Sequence, residues 1–140
     1  MSNNEPKISK ENALEELKSF IHKWVKRPVS DDKLEETYPD ILEAIMAGNL
    51  VLDSEKVPVF NLYYPIKNDQ GEVSRSSVNF KTRVKPSVKA DLASGLDLQK
   101  QTAKFALILV AHVVGMTVAE LDKLEREDYD TISALSAVFM

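Results

Sequence analysis

The sequence predicts an α+β fold: a three-stranded antiparallel β-meander packed against C-terminal helices, with an extra N-terminal helix. Three observations predict it. Apolar residues recur at helical spacing between Asn12 and Lys26. They alternate with period two between Leu50 and Thr82. From Ser87 onward they return to a period near 3.6. The 140 residues suit one compact domain. We divide them into a tail with an amphipathic helix (residues 1–30) and a single α+β domain (residues 31–140).

Met1 to Pro6 reads as a polar, frayed tail. In the first helix Leu14, Leu17, Ile21, Trp24 and Val25 share one face. Asn12 and Glu15 have the spacing of a capping box, and Pro28 stops the helix. A second helical stretch spans Asp31 to Ala47. Pro39 splits it, because proline lacks the N–H that an interior helical position donates. Ile41, Leu42, Ile45 and Met46 form its apolar face. Gly48 suits the left-handed residue that ends a helix.

The meander follows. Leu50 and Leu52 begin it, and Asp53 to Lys56 forms a turn. Phe60, Leu62, Tyr64 and Ile66 should share one face of the second strand, with Val57, Val59, Asn61 and Tyr63 on the other. Lys67 to Gly71 forms a second turn, and the third strand runs from Glu72 to Thr82. Pro58 and Pro65 cannot donate to a ladder, so an edge or a strand end is expected for both.

The remainder is helical. Ser87 is placed to cap a short helix ending near Gly95. Asp97 is placed to cap a long one from Leu98 to Val114, closed by Gly115. Thr117 and Glu120 have full capping-box form. Asp128 is placed to cap the last helix, whose Tyr129, Ile132, Leu135 and Phe139 fall on one side.

Composition removes several classes of chemistry. There is no cysteine, hence no disulfide scaffold, thiolate metal site or thiol nucleophile. The two histidines, His22 and His112, are far apart and lack metal-ligand spacing. His112 reads as a core histidine bonded to a backbone carbonyl. No phosphate loop, dinucleotide fingerprint or nucleophile elbow occurs. We expect no enzyme activity, no cofactor and no metal. The apolar run from Phe105 to Val114 is half a membrane span, and no secretory signal opens the chain, so a cytosolic protein is expected.

Charge is uneven under a net of −4. Glu72 to Lys104 carries seven bases against three acids, and Thr117 to Asp130 six acids against two bases. The bases Arg75, Lys81, Arg83, Lys85 and Lys89 are interrupted by no acid and accompanied by one aromatic, Phe80. A nucleic-acid surface calls for more stacking side chains, so a solvated or protein-binding face is the better reading.

Two stretches carry a resemblance. One is Tyr38-Pro39-Asp40-Ile41-Leu42-Glu43-Ala44-Ile45, followed by Gly48-Asn49-Leu50-Val51-Leu52 and a strand ending Tyr63-Tyr64-Pro65-Ile66. The other is Leu121-Asp122-Lys123-Leu124, then Asp128-Tyr129-Asp130, closing on Ala137-Val138-Phe139-Met140. In this order the segment from about Glu36 to Met140 resembles the tail assembly chaperones of long-tailed phages, the Mu-like prophage tail proteins in particular. The first helix lies outside that pattern.

The resemblance implies a non-enzymatic protein of the bacterial host cytoplasm, absent from the mature virion. Its partners would be the phage tape-measure protein and tail tube subunits. The alternatives are a structural tail component, such as a tube or completion protein, and a nucleic-acid-binding accessory protein. Exposed apolar helix surface would drive partner binding and self-association. Ile21, Trp24, Tyr129, Ile132 and Phe139 are the expected partner-binding residues.

Overall fold

The computed structural model describes residues 6–27 and 29–140. The expectations for Met1 to Glu5 and for the stop at Pro28 lie outside the described residues. Helix α1 (Lys10–Trp24) leads through a short 3-10 turn (Asp31–Lys33) into α2 (Leu34–Thr37) and α3 (Pro39–Met46). Strands β1 (Leu50–Leu52), β2 (Pro58–Lys67) and β3 (Val73–Asn79) form one antiparallel sheet in sequence order. Helices α4 (Pro86–Ala93), α5 (Thr102–Val114), α6 (Val118–Leu121) and α7 (Arg126–Phe139) complete the chain. The α+β class and the meander are as expected. No helix among the described residues is long and apolar enough to cross a membrane.

Helix α1 begins earlier than expected. Ser9, not Asn12, caps it: the Ser9 hydroxyl accepts the Asn12 N–H at 3.2 Å. Asn12 thus lies in the first turn and donates to the cap. Ala13, Leu17, Phe20 and Ile21 are buried against α3 and α7, in the same core as the sheet residues Phe60 and Val78. The expected division at residue 30 therefore does not coincide with a break in the core. The helix that lacks a counterpart in the resemblance buries its apolar face within the chain.

Pro39 opens α3 at its first turn, where a missing N–H costs nothing. The helix closes on a Schellman motif. The Asn49 N–H donates to the Ala44 carbonyl and the Gly48 N–H to the Ile45 carbonyl, both at 3.0 Å. Gly48 has φ of +78°, and a Cβ there would stand 3.1 Å from Lys7 Cδ. Gly48→Ala is expected to cost about 1–2 kcal/mol from the left-handed backbone. Thermal unfolding checks this, and an unchanged melting temperature would contradict it.

The first hairpin turn is built on Asp53, whose carboxylate accepts the N–H groups of Glu55 and Val57 at 2.8 and 3.0 Å. Lys56 takes a positive φ of 63°, and its carbonyl accepts the Trp24 indole N–H at 2.8 Å. That bond ties α1 to the sheet.

Strand β2 is not regular. Asn61 pairs with Ser77 and Ile66 with Arg75, so Leu62 to Pro65 stand opposite Ser76 alone. This bulge breaks the expected alternation: Phe60, Leu62 and Ile66 are buried, but Tyr64 turns out to solvent. It also explains Pro65, which lies inside the central strand instead of at an edge or end. A bulge has no ladder bond for proline to break, and β1 does not reach that far along β2. Pro58 does stand at a strand start. Strand β3 stops at Asn79, and the Lys81 N–H turns away to the Val113 carbonyl at 2.8 Å.

Three further expected caps are absent. Helix α4 starts at Pro86 with Lys85 as its cap residue, so Ser87 is already helical. Helix α5 starts at Thr102. The Asp97 carboxylate accepts the Gln99 N–H at 3.1 Å, closing a local turn that holds residues 97–101 out of the helix. Asp128 is the third and is described below. The Thr117–Glu120 capping box and the left-handed Gly115 are both present. The oppositely charged blocks meet once, where Arg75 lies 3.4 Å from Glu120.

Candidate functional site

Asp128 sits in the third position of α7 and is fully buried. Its carboxylate does not cap its own helix. Oδ1 accepts the Tyr63 N–H at 2.8 Å, and Oδ2 accepts the Tyr64 N–H at 3.0 Å. Successive N–H groups of a regular strand point to opposite sides, so one carboxylate reaches both only because β2 bulges there. Asp128 thus satisfies two N–H groups of β2 beyond the end of β1. Asn49 bonds to β2 one step earlier. Its Nδ2 donates to the Asn61 carbonyl and its own carbonyl accepts the Asn61 N–H, both at 2.7 Å. Burial raises the Asp128 pKa above the ordinary aspartate value, against the opposing pull of the two N–H bonds.

This clamp joins the two stretches that carry the family resemblance, Tyr63-Tyr64 in one and Asp128-Tyr129 in the other. Two clefts flank the start of α7, with Arg126 between them. The first, of about 320 Å³, lies among α3, β2 and α7 and is lined by Asp40, Glu43, Tyr63, Arg126, Glu127, Asp130 and Thr131. Burial first, then the surrounding carboxylates of Glu43, Asp128, Glu127 and Asp40, push the Tyr63 pKa up to about 12. The phenol therefore stays protonated at neutral pH and is not available as a base. Four carboxylates against one guanidinium give this cleft a net negative lining.

The second cleft, of about 360 Å³, lies among α5, α6 and α7. It is lined by Leu107, Leu121, Asp122, Leu124, Arg126 and Tyr129. Its wall follows from the sequence of α5, which is apolar on every side from Phe105 to Ala111. A helix apolar all round calls for burial all round. Here Leu109, Val110, Ala111, Val113 and Val114 are buried, while Phe105, Leu107 and Ile108 are only half covered.

The expected partner-binding residues divide. Ile21, Ile132 and Phe139 are buried in the chain's own core, so they offer no surface as the protein is folded. Trp24 is half-buried, with its indole bonded to Lys56 and its ring edge-on to Phe139 at 5.2 Å. The self-association face expected at Ile21 and Trp24 is thus an intramolecular one: the helical spacing shows an apolar face but not what covers it. Tyr129 alone lines a cleft. His22 is exposed on α1. His112 is half-buried on α5, with its pKa lowered by burial and by nearby Lys81, and its ring makes no hydrogen bond among the described residues. The carbonyl partner expected for it is not there. Among the described residues, no three His, Asp or Glu side chains gather as a metal site would need.

Comparison with protein-family models, with curated proteins and with solved structures finds no match to this chain.

Proposed function

We propose that the protein is a non-enzymatic tail assembly chaperone, working in the cytoplasm of a phage-infected or lysogenic bacterium and absent from the finished virion. The observation that carries the reading is the apolar cleft at Leu107, Leu121, Leu124 and Tyr129. Three of those four side chains belong to the stretch that resembles the chaperone family. A holdase needs apolar surface that can receive an amphipathic helix, and it needs no chemistry. The tape-measure protein is the helix-rich partner that such a cleft would serve.

Co-expression with the tape-measure protein tests the proposal. The two should copurify, and Leu124→Glu should weaken the complex at least about tenfold, or ~1.4 kcal/mol. Leu124 is half-buried, so the variant's melting temperature is measured alongside. Failure to copurify overturns the reading. Copurification unaffected by Leu124→Glu moves the binding surface away from this cleft.

A further inference from the structure

The sheet has two unlike flanks. On the β1 side, Asn49 and Asp128 take up the backbone of β2 at Asn61, Tyr63 and Tyr64, beyond the end of β1. On the other side β3 is the last strand, and no hydrogen bond from outside β2 reaches its backbone between Val73 and Asn79 among the described residues. The ladder gives the direction of these groups. Asn61 turns its N–H and C=O toward Asn49, away from β3, so its pair with Ser77 is a non-hydrogen-bonded one. Ser77 therefore points its own N–H and C=O outward. The same holds for Asn79, whose partner Val59 belongs to the ladder with Val51 two residues along β2. An open strand edge of this kind is a template for another strand.

The residues that follow give the edge a sign. From Val73 to Ala90 there are five bases and no acid. Arg75 is matched by Glu120, but Lys81, Arg83 and Lys85 are exposed and have no ion-pair partner among the described residues. Phe80, the one aromatic of the stretch, is buried, with its ring 6.3 Å from that of Phe139. No aromatic side chain is left for stacking on bases, so the stretch lacks the platform that single-stranded nucleic acid would use. The β3 strand of a second copy carries no acid between Val73 and Asn79, so it would leave these cations unmatched.

We propose that the outer edge of β3 takes an extended acidic peptide as a fourth strand, with Ser77 and Asn79 supplying backbone hydrogen bonds and Lys81, Arg83 and Lys85 supplying the charge match. The surface is separate from the apolar cleft and does not depend on it.

The probe is a fluorescent peptide of about eight residues, a usual strand length, in which Glu alternates with Val or Thr. Its counterpart has Lys in place of Glu. The Glu peptide should bind, with added protection of the Ser77 and Asn79 amides from hydrogen exchange. The Lys peptide should not. Ser77→Pro removes an outward N–H while sparing the ladder to β2, and it should weaken binding at least about tenfold. Arg83→Glu combined with Lys85→Glu should do the same without touching the strand, which covers the case where the proline variant fails to fold. Equal binding of both peptides overturns the proposal, as does binding that survives the charge reversals. A homodimer that Ser77→Pro dissolves makes a second copy the occupant and also overturns it. Single-stranded DNA displacing the peptide, with steep salt dependence, does so as well.

Discussion

Asp128→Ala is expected to destabilise the protein by about 2–4 kcal/mol, because it leaves the Tyr63 and Tyr64 N–H groups without an acceptor. For a domain of this size that is a fall in melting temperature of roughly 10 °C. Asp128→Asn keeps the shape but has one acceptor oxygen, and its amide donor faces a second donor. It should cost about 1–3 kcal/mol. The two variants differ from an ordinary core substitution in their pH dependence. Burial raises the Asp128 pKa in the folded protein, so between the unfolded value, ~3.9, and the raised one, the folded state binds more protons than the unfolded. Stability contributed by this group therefore falls as pH rises through that window. Asparagine does not titrate. The penalty of Asp128→Asn should thus be largest at the acid end and shrink as pH rises. Denaturant titrations across the acid range read this directly. A penalty that grows with pH would mean that the two N–H bonds outweigh burial.

The same residue shows where sequence reasoning stops. Asp128 at the start of a helix has the position of a cap, and nothing local distinguishes a carboxylate that caps from one that reaches a strand 65 residues earlier. The distinction rests on the bulge at Leu62 to Pro65, which is a property of two strands together. Features set within a few residues were legible: the Thr117–Glu120 box, Pro39 opening a helix, the left-handed Gly48 and Gly115. Asp97 and Ser87 were not, because turn chemistry and a neighbouring proline compete with capping over the same few residues. Of the candidate site, the sequence marked Tyr129. The apolar cleft depends on α5 being covered along only part of its length. Periodicity registers that a side is apolar, and coverage is decided by the helices that pack against it.

Phe139→Ala carries the other large effect, about 3–5 kcal/mol. Helix ends fray, and the last residue of a helix is a poor candidate for a keystone on position alone. Its contacts say otherwise. The ring meets Phe20 edge-on at 6.1 Å and Trp24 edge-on at 5.2 Å, and it lies against Phe80 at 6.3 Å. It thereby joins α1, α7 and the segment leaving the sheet. Phe139→Leu retains most of the buried apolar volume and loses the aromatic edges, each worth about 0.5–1.5 kcal/mol, so it should cost less than the alanine. Trp24 fluorescence should shift to the red in the alanine variant as water reaches the ring's far side. The result also bears on how a partner is received. If α7 had to detach, Ile132, Leu135 and Phe139 would leave the core and the Asp128 clamp would open together, and deleting Asp128 to Met140 should accordingly unfold the protein. Binding at Leu124 and Tyr129 requires none of this, since both flank the cleft with α7 in place. An unchanged melting temperature for Phe139→Ala would show that the end of α7 is dispensable to the core, and detachment would become the better account of partner binding.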